Sequence, residues 1–432
     1  MSDEVLPEVP SVQVSVPVNR LVLLTGGEAL FAALIEAMDA AHHDIHLETY
    51  IFDFRRTPLR VAEAMVRAAG RGVAVRLVVD GVGTGEVPSP WAEAFDRAGV
   101  QVKVYAPLGR LGLLLPSRWR RLHRKLCVVD GSLGFCGGIN LLDDYFEPRE
   151  GDLQHPRFDF AVCCTGPLAQ AIDSTMMQLW WRLMVGSRVR HREFKGAWQA
   201  LRAAPGRTRA TWSRVLAAAY RAAAGALRLP SAHPVPPPPV TDAFAQLVLR
   251  DNIWHRADIE RNYLQAIAAA RSEVLIANAY FVPGRRLRKA LFQAVRRGVR
   301  VRVLLQGRYE GFMQYHAARP VYKQLLDAGV DIREYTPSAL HAKVAVVDQR
   351  WATVGSSNLD PLSLLLAREA NVVTVDPQFA ADLRERLDRA LTHGSRAIDH
   401  AALLNRPWHQ RALDRIAFGL MRTLLFLTGH KY

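Results

Sequence analysis

The sequence predicts an α/β protein of two similar lobes, each a mixed, mostly parallel sheet flanked by helices, related by a pseudo-two-fold axis and sharing one active site. Three observations predict it. Strand-like apolar runs alternate with amphipathic helical stretches in each half; matched segments recur in the same order in the two halves; and 432 residues are too many for one ordinary core.

The elements follow in order. Phe31 to Ala41 carries apolar residues at helical spacing, and Ile45–Phe52 reads as a strand. Val61–Ala69 is helical again, and Val73–Val79 reads as a strand. Residues 67–80, RAAGRGVAVRLVVD, are matched by residues 293–305, QAVRRGVRVRVLL. In both, a helix-like segment ends at Arg-Gly and runs into a Val-rich strand. Ala98 to Pro107 is matched by Ala328 to Pro337, and Glu48-Thr49-Tyr50-Ile51-Phe52 by Asn278-Ala279-Tyr280-Phe281-Val282. A common order of matched pieces is the mark of a duplication. The expected organisation is a first lobe over 1–185, a basic and Pro-rich interlobe segment over 186–240, a second lobe over 241–398, and an amphipathic tail over 399–432.

Composition narrows the function classes. Half of the residues are hydrophobic and 22% are charged, which excludes a disordered chain. Lys and Arg number 56 against 41 Asp and Glu, a formal charge of +15 that favours a polyanionic partner, nucleic acid or an anionic membrane. The N-terminal residues lack an apolar signal region, and Ile416 to Thr428, interrupted by Arg422, is too short to span a bilayer. Cys127, Cys136, Cys163 and Cys164 lack metal-ligand spacing, lie in or beside apolar runs, and are expected to be buried thiols. Together these features predict a protein of the cytoplasmic side.

The chemistry is carried by one pattern that occurs twice. His123-Arg124-Lys125 leads through an apolar run to Asp130, and six residues later comes Gly137-Gly138-Ile139-Asn140. His341-Ala342-Lys343 leads likewise to Asp348, and then to Gly355-Ser356-Ser357-Asn358. Residues two apart on a strand face one side, so each His and Lys are expected together. Gly138 and Ser356 sit where a backbone can approach a ligand closely, with an Asn amide two residues on. A phosphodiester in reaction carries negative charge that Lys125, Lys343, Asn140 and Asn358 can hold. One imidazole can attack phosphorus while the other moves protons, and neither metal nor cofactor is required.

Both stretches fit HxKx4Dx6G[GS]xN, and on that pattern the chain resembles the phospholipase D superfamily. The resemblance implies two α/β lobes, a covalent phosphohistidine and transfer to water or another alcohol. It makes His123 the nucleophile and His341 the general acid and base, with the reverse order left open by the motif itself. Asp130 and Asp348 count among the motif's catalytic residues, but their place at the far end of a strand from the histidine points to structural support. Asp159 and Glu369 each stand eight residues before a proline, Pro167 and Pro377. In the superfamily a carboxylate at such a place steadies the imidazole of the opposite half.

The motif is shared by phospholipases, phospholipid synthases and nucleases. Several features favour lipid. Leu111 to Pro116, followed by the Arg- and Trp-containing stretch Ser117 to Arg121, is an insertion before His123 with no counterpart before His341. Residues 181–230 carry eleven Lys or Arg and a single acidic residue, Glu193, together with Trp181, Trp198 and Trp212. Arg411, Arg415 and Arg422 interleave with apolar residues near the C-terminus, a pattern suited to an interfacial helix. Within the superfamily the chain is similar to bacterial cardiolipin synthases of the B type, which lack N-terminal membrane helices. That likeness implies a phosphatidyl transferase acting on anionic phospholipid, phosphatidylglycerol, from the cytoplasmic face of the inner membrane, peripherally bound. A phospholipase D-type hydrolase or a metal-independent nuclease is the alternative, and the leucine-rich insertion disfavours a nucleic-acid groove.

Overall fold

The structure, a computed structural model, describes residues 19–108, 119–147, 151–190, 245–251, 255–308, 312–360 and 367–427. The apolar insertion at 111–116 with Ser117 and Arg118, the basic stretch beyond 190 and the proline linker lie outside the described residues.

The first lobe contains β1 (Arg20–Thr25), α1 (Gly26–Asp39), β2 (Asp44–Thr49), α2 (Arg56–Gly70), β3 (Ala74–Asp80), α3 (Ser89–Ala98), β4 (Gln101–Tyr105), β5 (Arg121–Leu122), β6 (Lys125–Val129), β7 (Leu133–Gly137), β8 (Phe146–Glu147), β9 (Gly151–Asp152), β10 (Phe160–Thr165) and α4 (Pro167–Arg190). The second contains β11 (Ala245–Arg250), α5 (Asp258–Ala269), β12 (Glu273–Asn278), α6 (Arg285–Arg296), β13 (Arg300–Gln306), α7 (Phe312–Asp327), β14 (Asp331–Tyr335), β15 (Lys343–Val347), β16 (Trp351–Gly355), β17 (Ala367–Thr374), α8 (Pro377–His393), β18 (Ser395–Ala397), α9 (His400–Leu404) and α10 (Trp408–Leu427).

The duplication is visible in the strand order. The first sheet runs β1-β10-β7-β6-β2-β3-β4 and the second β11-β17-β16-β15-β12-β13-β14, extended by β18. The sheets are mixed, but the expectation that they are mostly parallel needs correcting. Only β2–β3–β4 and β12–β13–β14 pair in parallel, and the remaining neighbours in each order are antiparallel. The reason is loop length. Helix crossovers join the parallel strands, whereas three residues join β6 to β7 and β15 to β16, and so short a link allows only an antiparallel hairpin.

The repeated Arg-Gly ends its helix for a local reason. Gly72 and Gly298 have φ of +92° and +85°, the left-handed conformation that closes a helix at little cost only for glycine. The following amides, Val73 and Val299, then donate to the carbonyls of Ala68 and Ala294 and turn the chain into the next strand. At α8, Asp376 caps the helix by accepting from the backbone N–H groups of Gln378 and Phe379, with Pro377 in the first turn.

The motif strands are apolar without interruption because both faces are covered. Leu126 and Val128 enter a core shared between the lobes, with Val344, Val346, Val354 and Val372 from the second sheet. Cys127 and Val129 enter the core beneath the helices of their own lobe. Each such side chain contributes about 1.5–3 kcal/mol on burial, so the shared core binds the lobes into one body. Of the cysteines, Cys163 is half-buried and the other three are buried, all as free thiols.

Candidate active site

The site forms between the lobes, whose sheets face each other across the shared core. β5 pairs in parallel with β17 of the other lobe, and the His123 amide donates to the Arg368 carbonyl at 3.0 Å. Reciprocally, the His341 amide donates to the Phe158 carbonyl at 2.9 Å. Each histidine backbone is thus held by the opposite lobe. The motif strand begins at Lys125 and at Lys343, not at the histidines as the spacing implies. His123 occupies the short gap between a strand of one sheet and a strand of the other, which leaves its ring in the cleft.

The side chains cross in the same sense. Nδ1 of His123 lies 3.0 Å from Oε1 and 3.1 Å from Oε2 of Glu369. Nδ1 of His341 lies 2.6 Å from Oδ2 of Asp159. With Nδ1 engaged by a carboxylate, Nε2 is the nitrogen each ring offers to the cavity. Ser356 donates its hydroxyl to Glu369 Oε2 at 2.6 Å, and the Ala370 amide donates to that hydroxyl at 3.0 Å. Gly138 holds the corresponding place beside Asp159. A Cβ there would stand 2.4 Å from Asp159 Oδ1, so glycine leaves the room the shorter carboxylate occupies.

Burial shapes the charges. It lowers the pKa of His123, against the pull of Glu369, and lowers that of His341 further, with Lys343 and Lys125 adding to the effect. Burial also raises Asp159 to about 7, opposed by Lys343. Lys125 is brought down to about 7 by burial, which outweighs the attraction of Glu369 and is reinforced by Lys343. Each lysine ammonium turns back onto the carbonyl of its own histidine, Lys125 at 2.6 Å from His123 O and Lys343 on His341 O. Two lysines thus stand with two buried carboxylates, Asp159 and Glu369, while burial holds both imidazoles toward the neutral form.

A cavity of about 810 Å³ opens on this cluster and is lined by His123, His341, Asn140, Asn358 and Asp159 among others. Ile51 donates its amide to Asn140 Oδ1 at 3.3 Å, which orients that side chain. Asp130 and Asp348 do not line the cavity. Asp130 accepts from the amides of His42, His43 and Asp44, and Asp348 from those of Arg271, Ser272 and Glu273 and the Ser272 hydroxyl. They tie the far end of the motif strand to the turn before β2 or β12, which supports the structural role over a catalytic one.

Arg124, inside the first motif, is also not at the mouth. It is buried, with Nε 2.6 Å and Nη2 3.1 Å from the two oxygens of Glu48. Several lining residues escaped the sequence reading. The Tyr50 ring lies 4.9 Å from the His123 ring, and Tyr280, its partner in the repeat, lines the cavity as well. The repeat contained that signal, because a tyrosine recurs at one place in both halves. Arg157 and Arg319 carried no such mark.

A family model described as cardiolipin synthase, PLD-like domain, matches residues 34–155 and 263–391. Cardiolipin synthase B of Escherichia coli strain K12 is 34% identical over 420 residues, covering 95% of this chain and 90% of that protein. A cardiolipin synthase of Geobacillus thermodenitrificans is 28% identical over 406 residues, covering 92% and 71%. Among solved structures, phosphatidylserine synthase of Haemophilus influenzae shares the fold, with a TM-score of 0.61 at 14% identity, covering 95% of this chain and 93% of that one.

Proposed function

The chain belongs to the cardiolipin synthase family with its phospholipase D-like domains, and we propose that it makes cardiolipin by phosphatidyl transfer through a phosphohistidine. The observation that carries the mechanism is the pair of crossed imidazole–carboxylate contacts, with both imidazoles lining one cavity. In the first step Nε2 of His123 attacks the phosphorus of phosphatidylglycerol. The bond from phosphorus to the glycerol oxygen breaks, and the imidazolium of His341 gives its proton to the departing glycerol. In the second step His341 takes the proton from a hydroxyl of a second phosphatidylglycerol. That oxygen attacks phosphorus, the P–N bond breaks, and His123 returns to its starting form.

Lys125, Lys343, Asn140 and Asn358 hold the charge that develops on the non-bridging oxygens. Glu369 keeps the proton of His123 on Nδ1, so that Nε2 is free to attack. Entry of the anionic phosphate among the two lysines and two imidazoles favours the cationic form of His341 that burial alone resists.

A lipid substrate is supported by the last helix. α10 exposes Trp408, Ile416 and Leu420 at 75%, 58% and 57%, in one stripe along the helix, with exposed Arg411 and Arg415 beside it. Leu420 also lines the cavity, so the apolar stripe leads to its mouth. This face and the +15 charge support the reading that the protein docks peripherally on an anionic leaflet, which we place at the cytoplasmic face of the inner membrane. Among the described residues no helix is long and apolar enough to cross a membrane.

The test incubates the purified protein with labelled phosphatidylglycerol vesicles and, separately, with single-stranded DNA. Labelled cardiolipin that is absent with His123→Ala is the expected result. Cleaved DNA with unchanged lipid would replace the transferase reading by a nuclease.

A further inference from the structure

The two crossed pairs have different charges behind them. In the second lobe β11 pairs antiparallel with β17 as far as Arg250↔Glu369. Directly opposed residues on antiparallel strands turn their side chains to one face, with Cβ atoms about 5 Å apart. Arg250 is only 2% exposed, and its Nη1 donates to the carbonyl of Ala367, two residues before Glu369 on the same strand. Burial lowers the guanidinium to about 10, and Glu369 leads the carboxylates that oppose this, followed by Asp251. Arg250 is therefore a cation at neutral pH, fixed beside the carboxylate that holds His123.

The first lobe inverts this arrangement. β1 and β10 pair as far as Thr25↔Phe160, and the next amide, that of Gly26, donates to the Asp159 carbonyl at 2.9 Å. Gly26 thus stands opposite Asp159 where Arg250 stands opposite Glu369. It has φ of +78°, and a Cβ there would lie 3.0 Å from Asp144 Oδ2. The place of the cation is taken by a carboxylate, which accepts from the amide of Gly27. Asp144 is among the charges that raise Asp159. The other charged groups facing the pairs do not supply this contrast. Lys125 and Lys343 act on both histidines. Tyr50, beside Glu369, is neutral, with burial raising its phenol further. Arg157, which acts on His341 and on Asp144, is itself 2.8 Å from Glu147. Asp251, Arg368 and Arg256 complete the charged surroundings of Arg250.

We infer that Arg250 and Asp144 are positioning residues that divide the labour of the two histidines. Arg250 keeps Glu369 an anion and so makes His123 the attacking base, while Asp144 steadies the proton carried by Asp159 and His341; this rests on the phosphohistidine reading of the site. The physical argument is local. A cation beside Glu369 lowers the proton affinity of the Glu369–His123 pair, so Nδ1 keeps the ring proton and Nε2 has its lone pair free for phosphorus. The positive charge that His123 gains on forming the P–N bond is then met by an ionised carboxylate. A second carboxylate beside Asp159 raises the proton affinity of the Asp159–His341 pair, which can deliver a proton to the departing glycerol. The two motifs are alike and cannot supply such a difference. It lies in the edge strands beside them, where β11 ends on an arginine and β1 runs into a glycine.

The test uses the full chain in saturating excess over detergent-dispersed phosphatidylglycerol labelled in its head glycerol, so that glycerol release reports the first covalent step alone. Its rate is measured against pH; the acid limb reports the attacking base and the alkaline limb the proton donor. The bound phosphate favours the charged form of Lys125 and moves that group's titration away from the alkaline limb. Arg250→Met should move the acid limb up by about one pH unit, and Arg250→Lys, which keeps the charge, should return it. Asp144→Asn, whose amide oxygen can still accept from Gly27, should move the alkaline limb down by a similar amount. Both changes narrow the profile. Widening by either variant would make His341 the nucleophile and overturns the assignment. Limbs unmoved in the folded variants overturn it as well, and Asp144→Asn decides the matter if the melting curve shows Arg250→Met to be unfolded. A shift in Arg250→Met that Arg250→Lys does not undo marks a merely structural role and also counts against it. No glycerol released by the wild type sinks the phosphohistidine reading itself.

Discussion

Glu369 accepts from His123, a residue 246 positions earlier, while Ser356 donates to the same carboxylate from within its own lobe. The carboxylate is thereby held between a serine hydroxyl and the imidazole it orients. Glu369→Gln keeps the shape but can present its amide N–H to Nδ1 and so move the imidazole proton to Nε2. Turnover is expected to fall by about 10²–10⁴-fold, the range seen when a buried carboxylate partner of a catalytic histidine is neutralised. Steady-state kinetics with phosphatidylglycerol checks it; a loss under threefold would mean that Glu369 does not set the tautomer.

Gly138→Ala tests the other contact by crowding. The added methyl meets Asp159 Oδ1 at 2.4 Å, so the carboxylate must leave its place against His341. We expect a loss of activity comparable to that of Asp159→Asn and a stability cost of about 1–3 kcal/mol. Denaturant unfolding separates the two effects, and wild-type kcat in Gly138→Ala would contradict the packing described.

Lys125 predicts a pH dependence. With its pKa near 7 in the free site, the ammonium is lost as pH rises through that value. A bound phosphodiester anion favours the charged form, so binding above pH 7 must take up a proton and weakens by up to about tenfold per pH unit. KM for the donor should rise from pH 7 to 9, and Lys125→Arg, which stays charged, should flatten that rise. A KM independent of pH in the wild type would place the ammonium's proton loss elsewhere.

Asp130 and Asp348 predict the opposite division between stability and chemistry. Burial alone would raise their carboxyls, but the backbone N–H groups they accept outweigh it and hold both below the ordinary range. Their contribution is present above the unfolded value of about 3.9 and is lost as pH falls through the lower folded value. Asp348→Ala should cost about 1–3 kcal/mol of stability. Activity per folded molecule should stay within about threefold, since both carboxylates are taken up by backbone N–H groups at the far end of the motif strand from the histidine. A full loss of activity in a folded variant would return these residues to the chemistry.

The exposed stripe of α10 predicts a surface effect. Replacing Trp408 and Ile416 with Ser should weaken binding to phosphatidylglycerol vesicles by about tenfold per side chain, the order expected for apolar burial. Vesicle sedimentation measures it, with phosphatidylcholine vesicles as the neutral control. Unchanged sedimentation would move the docking surface to another part of the molecule.

The duplicated residues were legible because each motif is local: a histidine and lysine two apart, an apolar strand, an aspartate at its end and a Gly-Gly or Gly-Ser hairpin exit. The apolar run could be read as a strand covered on both faces, and the structure divides it between the interlobe core and the helix-covered core. Less was legible where a local pattern fits two topologies. A Val-rich strand looks the same in parallel or antiparallel pairing, and only the three-residue links make the motif strands antiparallel. Arg124 shows the same limit, since nothing in its neighbours along the chain marks it as the buried partner of Glu48.

By itself the sequence determined the repeat, the reacting groups and the class of bond they can exchange, because these depend on residue types at short spacing. The tertiary structure decided which carboxylate meets which imidazole, across 246 and 182 residues. Those relationships arise from two sheets packing face to face. They are set by the shared core between the lobes, and no interval along the chain contains them.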